Sequence, residues 1–188
     1  MLRNFVYSFL LVVITINGYA QEIQKWKTVH DKENALVIKI PTDMSYENGE
    51  VHFSKKYLWA KGMMDAKIII KTFYQQNCKI DSSFIVVDTS YSLTIGNYKY
   101  DVQQGLEGAA GHQYVHVQYK TKSSNGYCYL FTLIEDKTGG ELYSGNQKTI
   151  TRINTRITKN EMKLRNVALK ILKTFLPQYI RINEPKPL

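Results

Sequence analysis

The sequence predicts an α+β domain, an antiparallel sheet with an amphipathic C-terminal helix packed on it. Two observations carry this. Short β-branched and tyrosine-rich runs recur between Ala35 and Ile134, broken by turn signals such as Gly96-Asn97 and Asn125-Gly126. From Leu164 to Phe175 the apolar residues then take up helical spacing, and Pro177 supplies a stop.

The chain opens on a different kind of segment. Arg3 is followed by a short apolar run, Phe5 to Ile16, and then by Asn17-Gly18-Tyr19-Ala20. This is the layout of a secretory signal, with cleavage expected between Ala20 and Gln21. The apolar run is too short for the roughly 20 residues that cross a bilayer, so no stable membrane insertion is expected after cleavage. The domain division is therefore a leader over 1–20 and one α+β domain over 21–188. A hydrophobic fraction of 44% with 12% aromatics is that of a folded chain rather than a disordered one.

Ala35 to Ile40 reads as a strand that stops at Pro41, which has no N–H for a ladder. Tyr57 to Lys61 is a weaker strand candidate. Lys67 to Phe73 is β-branched and short, better as a strand than as a helix. Phe84 to Val87 fits a strand or a helical turn. Tyr91 to Ile95 and Tyr98 to Val102 flank Gly96-Asn97 as a hairpin.

Asn125-Gly126 favours a two-residue type I′ turn, which pairs Gln113–Lys122 with Tyr127–Ile134. In that register Cys128 faces Ser123, Leu130 faces Thr121, Thr132 faces Tyr119 and Ile134 faces Val117. Cys128, Leu130 and Ile134 then share a face with Val115, Val117 and Tyr119. Tyr129, Phe131 and Leu133 take the other, so the strand needs cover on both sides and reads as central. For the helix, Thr158-Lys159-Asn160-Glu161 has capping-box form and marks the start. Residues 148–157 stay ambiguous. Their Thr/Ile alternation suits a strand, the preferred reading, while Ile150, Ile153 and Ile157 would also extend the helical stripe upstream.

Charge is uneven along the chain. From Gln21 to Gln147, 14 lysines balance 14 acids, whereas residues 148–188 hold ten basic residues against Glu161 and Glu184. Opposite the apolar stripe stand Lys159, Lys163, Asn166, Lys170 and Lys173, with Arg152 and Arg156 nearby. The four lysines are the candidate face for an anionic partner, against the plainer reading of a solvated helix face. Nucleic acid is not among the expected partners.

A strand ending in Ile40-Pro41, a Tyr-rich hairpin running into Gly139-Gly140-Glu141-Leu142-Tyr143, and a helix closing with Ile171-Leu172-Lys173-Thr174-Phe175 together resemble the PsbP/DcrB type of exported α/β/α sandwich. Thr174 stands where serine would be usual. The resemblance implies a three-layer variant of the fold and a non-enzymatic accessory or binding protein of the envelope. It carries no functional residue to a position here.

Motifs of catalysis are missing: no Gly-x-Ser-x-Gly, no Walker loop, no His-Glu-x-x-His and no Cys-x-x-Cys. No catalytic, cofactor or metal residue is assigned. Gly105, Gly108 and Gly111 read as a flexible loop. His112 and His116 would stand about 13 Å apart on a strand, too far to share an ion. His116 should point away from the face of Cys128, which argues against a nucleophilic pair. Asp81, Asp88, Asp101 and Glu107 could supply a dispersed carboxylate pair only if the fold brought two of them together.

Cys78 and Cys128 enter an oxidising compartment if the leader is used. A bridge between them and a pair of buried thiols are both open. The reading that results is an exported, non-enzymatic protein of the periplasm or exterior that binds another protein or an anionic envelope component. The alternatives are a glycan-binding module stacking sugars on aromatics such as Trp26 and Trp59, and a hydrolase with a dispersed carboxylate site.

Overall fold

The computed structural model describes residues 25–74, 78, 86–109, 111–124, 126–138 and 146–178. The expected leader and its cleavage point lie outside them, as do Asp81 and Gly139 to Tyr143. The architecture is α+β. Ten strands are described: β1 Trp26–Asp31, β2 Leu36–Pro41, β3 Ser45–Glu47, β4 Glu50–His52, β5 Met63–Tyr74, β6 Val86–Ile95, β7 Tyr98–Ala109, β8 His112–Lys122, β9 Tyr127–Thr138 and β10 Leu176–Pro177. One helix, α1, spans Gln147–Lys173.

Seven strands form an antiparallel sheet in the order β3-β4-β5-β9-β8-β7-β6, and a smaller sheet runs β1-β2-β10. β9 is central, as its apolar run requires. Tyr129, Phe131 and Leu133 are buried together with Val115, Val117 and Tyr119 of β8 and Ala66, Ile68 and Ile70 of β5. Onto this face α1 packs Ile157, Leu164, Val167, Ala168, Ile171 and Leu172. Phe175, just past the helix, sets its ring among those of Tyr98, Tyr129 and Phe131 at centroid distances of 5.1, 4.8 and 5.1 Å. Among the described residues a helix covers one face of the large sheet, so the third layer of an α/β/α sandwich is not part of what is described.

The β8–β9 register differs from the expected one by a single residue. Lys122 pairs with Cys128, Tyr119 with Phe131 and Val117 with Leu133. The turn closes through Ser123 N–H to the Tyr127 carbonyl (2.9 Å) and Gly126 N–H to the Ser123 carbonyl (3.1 Å), which leaves three residues in the loop rather than two. Gly126 has φ +86°, the left-handed conformation that a three-residue hairpin loop needs. A one-residue slip exchanges the faces of a whole strand. Tyr129, Phe131 and Leu133 therefore join the core, while Cys128, Leu130 and Ile134 lie on the outer face with His116.

Residues 148–157 are helical, against the strand reading, and the helix does not start at Thr158. Its N-cap is Asn146, whose side-chain oxygen accepts from Thr149 N–H at 3.0 Å. Threonine and isoleucine disfavour a helix only weakly. Thr151 and Thr155 return their hydroxyls to the carbonyls four residues back, and Ile153 and Ile157 face the core. Tertiary burial outweighs the β-branched propensity. Glu161 meanwhile pairs with Lys137 at 2.6 Å instead of reaching back to a cap.

Two further expectations change. Tyr57 to Lys61 is not a strand: Lys55–Tyr57 is a 3-10 turn that buries Tyr57 edge-on to Phe53. The loop after it is held by the buried Asn160 of α1, which accepts from Ala60 N–H at 2.9 Å and donates to the Tyr57 carbonyl at 2.5 Å. Gly105 and Gly108 lie within β7 rather than in a flexible loop, and Gly111 takes the positive φ of the turn that follows.

Candidate functional site: a basic helix row and the groove at its end

The corrected start of α1 changes what the helix presents to solvent. Lys148, Arg152, Arg156, Lys159, Lys163, Lys170 and Lys173 are all exposed. They recur every three or four residues, one to a turn, with Asn166 filling the turn between Lys163 and Lys170. At 3.6 residues per turn they fall within about 100° of arc and extend over about 38 Å. Glu161 is the only acid of the helix, and it is half-buried against Lys137. No ion pair joins any of the seven to a described carboxylate. The helix begins at Asn146, so the positive pole of its dipole lies beside Lys148 and Arg152 rather than Lys159 and Lys163. No acid occupies the first turn to offset it.

The row ends at a second basic region. The β6–β7 turn packs against the C-terminus of α1: a Cβ added at Gly96, which has φ +59°, would sit 3.5 Å from the Lys173 carbonyl oxygen. Beyond this turn opens a groove of about 380 Å³ lined by Asn97, Lys99, Asp101, Lys120, Thr121 and Lys122, with Tyr98 and Cys78 at its margins. The antiparallel register builds it, since Asp101 lies opposite Lys120 and the outer face alternates through β7 and β8. Lys71 of β5 stands two strands away in the same row, across Leu130 from Lys120. Lys71, Lys99 and Lys120 make no ion pair with a described carboxylate, while Asp101 accepts the Ser92 hydroxyl at 3.0 Å.

Cys78 and Cys128 are joined by a disulfide, with Cα atoms 5.5 Å apart. Cys128 lies opposite Phe73 of β5 on the outer face, and the bridge brings Cys78 back over that face beside the groove.

The opposite end of the outer face is acidic and internally paired. Glu50 meets Lys67 at 2.9 Å and His52 at 3.3 Å, His112 Nδ1 meets Asp136 at 2.9 Å, and His116 Nε2 lies 3.3 Å from Glu107. Burial holds the His116 imidazole below its ordinary pKa, and Glu107 offsets this only in part. His112 and His116 thus each face a carboxylate. His116 shares the outer face with Cys128, contrary to the expected register. Cys128 pairs with Lys122, however, six residues along the strand and roughly 20 Å away, and its sulfur is in the disulfide. Asp101 and Glu107 are also six residues apart on β7 and do not converge. The Asp88 side chain lies outside the described residues.

The most perturbed carboxyl among the described residues escaped the sequence reading. Glu135 continues the inward alternation of Tyr129, Phe131 and Leu133, and it is fully buried under α1. Burial pushes its pKa up to about 7; Arg165, 3.8 Å away, opposes the shift and Glu161 reinforces it. Neither carboxyl oxygen has a hydrogen-bond partner among the described residues. Extending the core alternation by one step, in the true register, would have found it. Trp26 packs partly buried against the core, whereas Trp59 is 47% exposed.

No family model matches the chain, and no curated relative does. Among solved structures it is similar to a protein of Bacteroides thetaiotaomicron, at 12% identity and a TM-score of 0.45, over 85% of this chain and 51% of that one. The chain thus spans about half the length of that protein. It is also similar to LpqN, involved in cell envelope biogenesis of Mycobacterium tuberculosis, at 12% identity and a TM-score of 0.45, over 85% of this chain and 94% of that one.

Proposed function

We propose that this is an exported, non-enzymatic binding protein whose partner is an anionic component of the envelope. The observation that carries the reading is the row of seven exposed cations on α1 with no exposed acid among the residues of the helix itself. A solvated helix face gains nothing from excluding acids, since alternating signs would stabilise it through i,i+4 pairs. An anionic partner makes the one-sided charge favourable. Export is supported by the leader pattern before Gln21 and by the disulfide, which persists in oxidising compartments. Binding is favoured over hydrolysis because Glu135 is sealed beneath the helix and Asp101 and Glu107 stand apart.

The test is a charge reversal, Lys163→Glu with Lys170→Glu and Lys173→Glu. Retention on envelope material should be strong at low ionic strength, fall as salt screens exposed charge, and be lost in the variant. Retention that ignores both salt and substitution would overturn the reading. Mature protein from the envelope should begin at Gln21; an intact mass that keeps Met1 to Ala20 would remove the export claim.

A further inference from the structure

From the groove at the Gly96–Asn97 turn we infer the class of the partner: an acidic polysaccharide, laid along α1 and read by one of its acidic sugars in the groove. This rests on the proposed function and adds a second, chemically distinct site to it. Two observations lead there. The helix row ends beside the turn that edges the groove: the Lys173 carbonyl and Cγ lie against Gly96, and Asn97 next to it lines the groove on the opposite face of the sheet. The groove is also mixed in chemistry where the row is purely cationic. Lys99 and Lys120 are open to an anion, yet Asp101 stands between them and the Asn97 amide lines the same space.

That mixture selects among anions. A fixed carboxylate beside lysines repels sulfate, which has no hydrogen to donate, and gains little from hydrogen phosphate, whose one or two P–OH donors come with an equal or greater negative charge. It welcomes a ligand that carries hydroxyl donors together with its negative charge, because each charge-assisted hydrogen bond is roughly twice a neutral one. A uronic acid is such a ligand: its carboxylate meets Lys99 and Lys120 while its hydroxyls donate to Asp101 and bond Asn97. A glycerol or serine phospholipid headgroup has the charge without a ring of hydroxyls, and a flat bilayer would not follow the protein from the helix around the turn. The row would hold the polymer by charge, and the groove would recognise its sugar.

The experiment uses the chain from Gln21 with three probes: a galacturonic acid trimer, the neutral trimer maltotriose and inorganic phosphate. Titration followed by amide chemical shifts should place the acidic trimer at Asn97, Lys99 and Lys120, with weaker binding of the other two. Each substitution replaces a charged contact with a like charge, so Lys99→Glu and Lys120→Glu should each weaken the trimer about tenfold or more. Lys99 is exposed, so its variant tests the site with little risk to the fold. Asp101→Ala should weaken the trimer and tighten phosphate, a reversal that general charge attraction cannot produce. The helix variant with Lys163, Lys170 and Lys173 reversed should keep the trimer and lose long polygalacturonate. Phosphate or maltotriose binding as tightly as the acidic trimer, or a trimer indifferent to Lys99→Glu, overturns the groove assignment. In either case retention through the helix row is measured separately and stands or falls by itself.

Discussion

Along the outward side of α1, seven cations come from one continuous segment and need only the helix to line up. At the Gly96–Asn97 end of the sheet, Lys99, Lys120 and Lys122 come from two strands, with Lys71 further along the same row, and they meet only because the register places them together. The first region is a local property of the chain and the second an assembled one. They should therefore respond differently to damage. The row should survive any change that leaves α1 helical, whereas the groove should suffer from changes to the strands and the bridge that fix its walls.

The largest expected effect separates them by the disulfide. The Cys78–Cys128 bridge closes 50 residues of chain, and on the chain-entropy view its loss costs about 4 kcal/mol. Replacing both cysteines with serine should lower the denaturation midpoint accordingly and weaken trimer binding in the groove. Where the variant is still folded, salt-sensitive retention through α1 should remain. Equal loss of both activities would erase the distinction. Labelling of the denatured, unreduced wild type should find no free thiol.

Next in size is the buried carboxyl under the helix. Glu135 has a folded pKa of about 7 against an ordinary 4.5, so the native state holds its proton more tightly than the unfolded chain. Stability from this group is full below about pH 4.5 and is lost as pH rises toward 7, at a total cost of about 3 kcal/mol. Glu135→Gln should gain most of that above pH 7 and almost nothing at pH 4, as thermal melts across pH would show. Because Glu135 reaches neither basic region, retention and trimer affinity at a given pH should not move. A pH-independent effect of the substitution would mean that the carboxyl titrates alike in the folded and the unfolded chain.

An effect of similar size tests how firmly the row is mounted. Asn160→Ala removes the partner of two buried backbone groups, Ala60 N–H and the Tyr57 carbonyl, at about 2–4 kcal/mol. Amide exchange should quicken at Ala60 and at the middle of α1 before it changes in β8 or β9. Uniform quickening would show that α1 and the sheet open as one unit.

The smallest effect on stability accompanies the clearest effect on binding. Lys163→Glu lies at an exposed position in mid-helix and should change stability by less than about 0.5 kcal/mol, while Lys170→Glu and Lys173→Glu set an acid at the negative pole of α1 and should cost up to about 1 kcal/mol each. Retention on envelope material should nonetheless collapse. A large drop in melting temperature would mean that the lysine stems pack on the protein and that the row is partly structural.

Much of the fold was legible because it depends on local pattern. The α+β class, β2, the core of β5, the β6–β7 hairpin and the apolar stripe of α1 all follow from residue periodicity, and so does the central place of β9. Composition along the chain also located the basic excess in the last segment. Tertiary contacts decided the rest. A three-residue turn instead of a two-residue one put Tyr129, Phe131, Leu133 and Glu135 inside. Core packing of Ile153 and Ile157 made residues 148–157 helical and lengthened the cation row by Lys148, Arg152 and Arg156. The groove had no linear trace, because its lysines lie in a stretch whose net charge is zero and only the pairing of β7 with β8 sets them side by side. Periodicity and composition are sums over neighbours in the chain, so they record what neighbours determine. Register, burial and sorting of charge are set by residues far apart in sequence, and only folding brings those together.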